Sequence, residues 1–75
     1  MSHRHRFSKN LGYLEHRRIR LLAMPDDPDP VPAGTLGTVL YANDVAGVFV
    51  QIGVKWDNGS WLSLSVPPDQ FEIVS

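Results

Sequence analysis

Four of the chain's six prolines fall within residues 25–32, PDDPDPVP, and no other stretch limits the possible folds so strongly. Proline fixes φ near −65° and has no amide hydrogen to donate, so this segment is excluded from a helix interior and from a central strand. It reads as a long, stiff loop that loses little entropy on folding because it is already ordered. The spacing Pro25-x-x-Pro28 resembles a polyproline ligand, but Asp26, Asp27 and Asp29 stand where such grooves take a basic neighbour. The same aspartates suggest calcium, yet an EF-hand loop counted from Asp26 needs glycine sixth and glutamate twelfth, and Val31 and Gly37 occupy those places.

On either side of the loop the hydrophobic period is 2. RRIRLLAM, residues 17–24, places Ile19, Leu21 and Ala23 on one strand face and Arg18, Arg20, Leu22 and Met24 on the other, with a short helix over residues 13–22 as the competing reading. GTLGTVLYAND follows, with Val39 and Tyr41 alternating against Thr38 and Leu40; glycines 34 and 37 mark a bulge or close backbone approach and predict strong curvature. Asn43, Asp44 and Gly47 supply turn chemistry before VFVQIGVKWD, a nearly continuous apolar strand.

VKWDNGSWLSL, residues 54–64, alternates apolar and polar residues around Asp57, Asn58 and Gly59. Asn-Gly predicts a type I′ turn, because both central residues of that turn need positive φ. WLSLSV returns, PPDQ predicts a proline-initiated 3₁₀ turn, and FEIV a short last strand with Phe71 and Ile73 facing alike. Five short strands, a long first loop, a central hairpin and a 3₁₀ turn before the last strand predict an all-β fold, a small five-stranded SH3-like barrel. An OB-fold needs longer strands and a helix after the third, for which the chain has no room. The barrel is expected over residues 14–75, after a mobile basic arm, residues 1–13, that shows neither period.

The 75-residue length bounds the chain to one domain, and so small a domain buries only about 60% of the surface its unfolded chain exposes. With no cysteine there is no disulfide framework, thiolate nucleophile or Cys-based zinc site. No apolar run approaches the ~20 residues of a membrane span, and MSHRHRFSKN lacks the apolar core of a signal peptide. The expectation is a soluble, cytoplasmic protein without membrane contact.

The net charge of −1 hides an asymmetry. Residues 1–20 carry Arg4, Arg6, Lys9, Arg17, Arg18 and Arg20 against Glu15 alone, a balance of +5 without the histidines. Residues 21–75 carry Lys55 alone against Asp26, Asp27, Asp29, Asp44, Asp57, Asp69 and Glu72, a balance of −6. A basic arm on an acidic body has the charge to meet phosphates or an acidic protein face.

Catalysis is not expected. His3, His5 and His16 lie in or beside the arm, away from the carboxylates and serines of the barrel, whereas general-base or nucleophilic chemistry needs partners within hydrogen-bond reach on a rigid scaffold. His3 and His5 alternate with Arg4 and Arg6, whose charge opposes a divalent cation, and they lack further nearby ligands. No metal, cofactor or small-molecule substrate is expected.

Two indoles are too many for so small a core. Across the turn Trp61 sits opposite or near Trp56, and one of the pair is expected inside and the other at the surface. Trp56 reads as the core residue; Trp61, with Tyr41, Arg18 and Arg20, is a candidate for partner binding, since interface hot spots are rich in tryptophan.

MPDDPDPVPAGTLGTV after a first strand, then VKWDNGSWLSL, then DQFEIV, in that order and spacing over residues 18–74, resemble the small bacterial and phage family called domain of unknown function 4314. The resemblance implies a fold and a habitat rich in phages, plasmids and other mobile elements; it implies no activity and no catalytic residues. The expected function is a non-enzymatic interaction or adaptor module that binds a protein. The alternatives are a nucleic-acid accessory protein using Arg4, Arg6, Lys9, Arg17, Arg18 and Arg20, with Tyr13 or Trp61 stacking on bases, and an inhibitor of a host defence complex.

Overall fold

The computed structural model describes residues 10–75 of the chain. A 3₁₀ helix, Asn10–Leu14, precedes five strands: β1 (Arg18–Ala23), β2 (Leu36–Val45), β3 (Phe49–Trp56), β4 (Leu64–Val66) and β5 (Gln70–Ile73). The helix crosses the residue-14 boundary expected between arm and barrel and buries Leu14. RIRLLA is a strand, not the competing helix.

Every ladder is antiparallel and the order is β4-β3-β2-β1-β5. Four strands meander and the fifth returns to the free side of the first, the arrangement expected of an SH3-like barrel. Among the described residues no ladder joins β4 to β5, so hydrogen bonds do not close the sheet.

Ile19, Leu21, Val39, Ile52, Val54, Trp56 and Leu64 are each no more than 1% exposed, although among the described residues there is one sheet and no second sheet packed on it. A flat sheet cannot hide one face without a cover, so this one must curl around its own side chains. Two bulges supply bends. The β1–β5 register slips between Leu21 and Ala23, and the β2–β3 register slips between Val39 and Tyr41. Each extra residue moves the following side chains to the other face. Thus Met24 is buried instead of lying opposite Leu21, and Tyr41 points outward instead of sharing the core with Val39.

The proline-rich loop caps one end of this core. Val31 is buried, and the loop is pinned where Gly34 N–H donates to Leu21 O at 2.8 Å and Leu21 N–H donates to Thr35 O at 2.9 Å.

The turns differ from their expected types. Gly59 has φ of 93°, but Asn58 is not among the positive-φ residues, so the type I′ assignment fails. Gly59 N–H donates to Trp56 O and Trp56 N–H to Ser60 O, at 3.1 and 3.0 Å, which with a left-handed glycine is a type I turn with a G1 bulge. Positive φ at both central residues occurs instead at Ala46 and Gly47, 55° and 71°, in the β2–β3 turn. No 3₁₀ turn forms at PPDQ. There, after two cis prolyl bonds, Asp69 is buried and its Oδ2 accepts Ser65 N–H at 2.8 Å while its own N–H donates to Ser65 O at 2.9 Å.

Candidate functional site

Two glycines sort the tryptophans and tyrosines of this chain into an inside and an outside. Gly37 is the cross-strand partner of Trp56, and a Cβ built on it would lie 2.7 Å from both Trp56 Cε3 and Val54 Cγ1. The missing side chain makes room for the indole, whose Nε1–H donates to Leu62 O at 2.8 Å. Trp56 therefore fills the core and leaves no place for a second indole. On the other face Tyr41 covers Gly53, its register partner, in the space a side chain there would occupy.

Trp61 is 64% exposed. The β3–β4 pairs Val50↔Val66, Gln51↔Ser65 and Ile52↔Leu64, continued to Trp56 and Ser60, set Trp61 opposite Lys55 rather than Trp56. The Lys55 ammonium stands 5.8 Å from the centre of the indole, within cation–π range.

The outer face holds the neighbouring rows of the sheet. Arg18, Thr38 and Lys55 form one cross-strand row, and Tyr41 with Gly53 forms another, on the same side because Gly53 and Lys55 are two residues apart. Arg18 donates from Nη1 to Thr38 Oγ1 at 3.0 Å and to Asp57 Oδ1 at 2.9 Å, and from Nη2 to Asp57 Oδ2 at 2.5 Å. This fork holds the Asp57 carboxyl below its usual range and pushes the guanidinium further up, in each case mainly through the side-chain hydrogen bonds. Arg20 pairs with Glu72 across the β1–β5 ladder.

Of the residues suggested by the sequence, Arg18, Arg20, Tyr41 and Trp61 are spread over this outer surface of the sheet, with Arg20 at the β1–β5 ladder beside Glu72, Tyr41 over Gly53 and Trp61 beside Lys55. Asp57, Asn58 and Gly59 form the turn at its end, so Asp57 serves both turn and ion pair. Of the cations suggested for nucleic acid, Arg4, Arg6 and Lys9 lie outside the described residues. Arg17 donates from Nε to Ser75 O at 2.8 Å, and Arg18 and Arg20 face carboxylates.

Lys55 was missed by the sequence reading, although a signal existed: it is the lone cation of residues 21–75, one place before Trp56 on an alternating strand. It makes no ion pair among the described residues. Of the acids of the body, Asp57 and Glu72 pair with Arg18 and Arg20, Asp26, Asp27 and Asp69 line an open groove with Ser63 and Ser65, and Asp29 lines another with Asn58 and Ser60, so the acidic grooves border the segment that carries Trp61. Among the described residues no group of three or more His, Cys, Asp or Glu side chains is placed to hold a metal, and no helix is long and apolar enough to cross a membrane.

No curated protein and no solved structure matches the chain. The sequence profile of one family does, over residues 9–74, from the 3₁₀ helix to the end of the last strand. The chain belongs to the family described as Domain of unknown function (DUF4314).

Proposed function

We propose that this chain is a small non-enzymatic interaction module that binds a protein on the outer face of its sheet, with Trp61 as the anchor. The exposure of Trp61 carries the reading. At about 25 cal/mol per Å² and some 200 Å² for an indole, a side chain left 64% exposed forgoes about 3 kcal/mol of burial. That is a large amount for a domain of this size, and a partner that covers the indole recovers it. Lys55 stands beside it, and Tyr41, also exposed, lies over Gly53 in a neighbouring row of the same face. The proposed setting is the bacterial cytoplasm, on a phage, plasmid or other mobile element.

Binding of nucleic acid is the weaker reading, because Arg18 and Arg20 face carboxylates that would repel a phosphate backbone. Two measurements on the full chain test the choice. Affinity capture should retain a protein that the Trp61→Ala variant does not retain, with the melting temperature unchanged. Fluorescence anisotropy with labelled duplex and single-stranded oligonucleotides should show no binding tighter than about 10⁻⁴ M at physiological salt. A sub-micromolar oligonucleotide complex would replace this reading with the nucleic-acid one.

A further inference from the structure

We infer that the segment bound beside Trp61 is basic and extended, with one lysine or arginine in each of the two acidic grooves that border the indole and the residues between them against its ring. This rests on the protein-binding reading above and adds the chemistry of the partner.

The two grooves share their walls. One wall is the proline-rich loop, and the other is the chain that runs from the β3–β4 turn to the turn before β5. Asp26, Asp27 and Pro28 line the first groove with Ser63, Ser65 and Asp69. Asp29, Pro30 and Pro32 line the second with Asn58 and Ser60. Trp61 lies in the short stretch between Ser60 and Ser63, its indole exposed, so a segment that covers the ring passes from one groove to the other.

The charges select what that segment carries. Residues 10–75 hold Arg17, Arg18, Arg20 and Lys55 against all eight acids of the chain, a balance of −4. Arg18 and Arg20 pair with Asp57 and Glu72, whereas among the described residues no cation pairs with the four aspartates of the grooves. Lys55 lines neither groove, and its ammonium beside the ring shows that the indole accepts a cation. An acidic segment or a phosphate backbone laid here meets carboxylates on both sides of the indole. A lysine or arginine instead rests its apolar stem on the proline rings and sets its charge among the aspartates.

Ser60 and Ser63 are three residues apart, so along that wall the grooves are separated by no more than about 10 Å. An extended partner crosses that distance in three residues, which puts its two cations at positions i and i+3. Asp27 Oδ1 accepts Asp29 N–H at 2.9 Å and Asp69 Oδ2 accepts Ser65 N–H at 2.8 Å, so both also hold the backbone of the walls. Substitutions that remove charge without loosening the walls therefore fall on Asp26 and Asp29.

The test uses fluorescein-labelled 12-residue peptides in a serine and glycine background, with net charges from −4 to +4 and with two lysines or arginines placed either at i and i+3 or side by side. Anisotropy titrations on the full chain are compared with Trp61→Ala and with the double variant Asp26→Asn, Asp29→Asn. Basic peptides should bind best, and the i, i+3 spacing should bind several-fold tighter than adjacent cations at equal net charge. The double variant should weaken the basic peptides by about 5-fold or more at an unchanged melting temperature. Trp61→Ala should weaken them by about 30-fold or more, the loss expected of a hot-spot residue. If acidic or neutral peptides bind as tightly as basic ones, or if the double variant or the spacing changes nothing, the inference fails while protein binding through Trp61 stands. If basic peptides bind only after deletion of residues 1–9, the occupant is the chain's own arm and the inference is overturned. It is overturned equally if no peptide binds and sedimentation shows self-association lost in Trp61→Ala, since the occupant is then a second copy. If oligonucleotides outcompete every peptide, this inference and the proposed function fall together.

Discussion

Tyr41 lies against Gly53 across the β2–β3 ladder, so closely that a Cβ built on Gly53 would stand 2.1 Å from Tyr41 Cε2. Gly37 makes a comparable approach to Trp56, at 2.7 Å from Cε3, on the opposite face. Their substitutions should nevertheless differ. Tyr41 is part-exposed and can swing into solvent, so Gly53→Ala should change stability by less than about 1 kcal/mol, the lost contact being offset by reduced freedom of the unfolded chain. Gly37→Ala meets two buried side chains and should destabilise by about 1–3 kcal/mol. Urea unfolding of both variants checks the order. Equal losses would mean that the Tyr41 ring is fixed as firmly as the Trp56 indole.

Gly59, at φ of 93°, takes a conformation that a β-branched residue resists. Gly59→Val should destabilise by about 1–3 kcal/mol. Asn58 lies outside the left-handed region, and its exposed side chain accepts Ser60 N–H at 3.0 Å. Asn58→Ala should therefore lose less than about 1 kcal/mol. A type I′ turn would make Asn58→Val as harmful as Gly59→Val, and thermal melts of the two valine variants separate the turn types.

The Arg18–Asp57 pair sets a direction of pH dependence. Asp57 titrates below its ordinary value because Arg18 donates hydrogen bonds to both of its carboxylate oxygens. Near that ordinary value, about 4, the folded state binds fewer protons than the unfolded one. The stabilisation is therefore present above that pH and is lost as pH falls through the lower, folded value. Both groups are well exposed, so the effect is small. Asp57→Asn should be less stable than the wild type at pH 7, and urea midpoints should converge toward pH 2. A gap that widens in acid would reverse the sign.

The two tryptophans should separate cleanly. Trp61→Ala should leave stability within about 0.5 kcal/mol of wild type, because the side chain covers no core. Trp56→Phe removes the hydrogen bond to Leu62 O and leaves a void in the centre of the core, so it should destabilise by at least about 1–3 kcal/mol. Acrylamide should quench the emission of Trp56→Phe, where Trp61 alone remains, far more than that of Trp61→Phe.

Much of this fold is legible in the chain itself. Prolines 25, 28, 30 and 32 impose a loop whatever surrounds them, because a fixed φ and a missing amide hydrogen are local properties. The alternation of RIRLLA and the apolar run before Trp56 locate β1 and β3, since side chains on a strand change face at every residue. Core volume admits one indole of the two, but that it is Trp56 is decided by Gly37 across the ladder from it.

The tertiary structure decided what a period cannot carry. A bulge shifts the phase by one residue without marking the sequence, so Tyr41 read as a companion of Val39 and instead covers Gly53 on the outside. Asp57 closes its turn locally, but its partner Arg18 lies 39 residues away and is brought to it only by the pairing of β1 with β2 and of β2 with β3. Asp69 is buried because Ser65, across a tight turn, offers it an amide to bind. Among the described residues Lys55 lacks a carboxylate partner for the same kind of reason: the assembled sheet gives Arg18 and Arg20 to carboxylates and gives Lys55 an indole. Local sequence fixes backbone preference and side-chain period, whereas the pairing of strands fixes which charges meet.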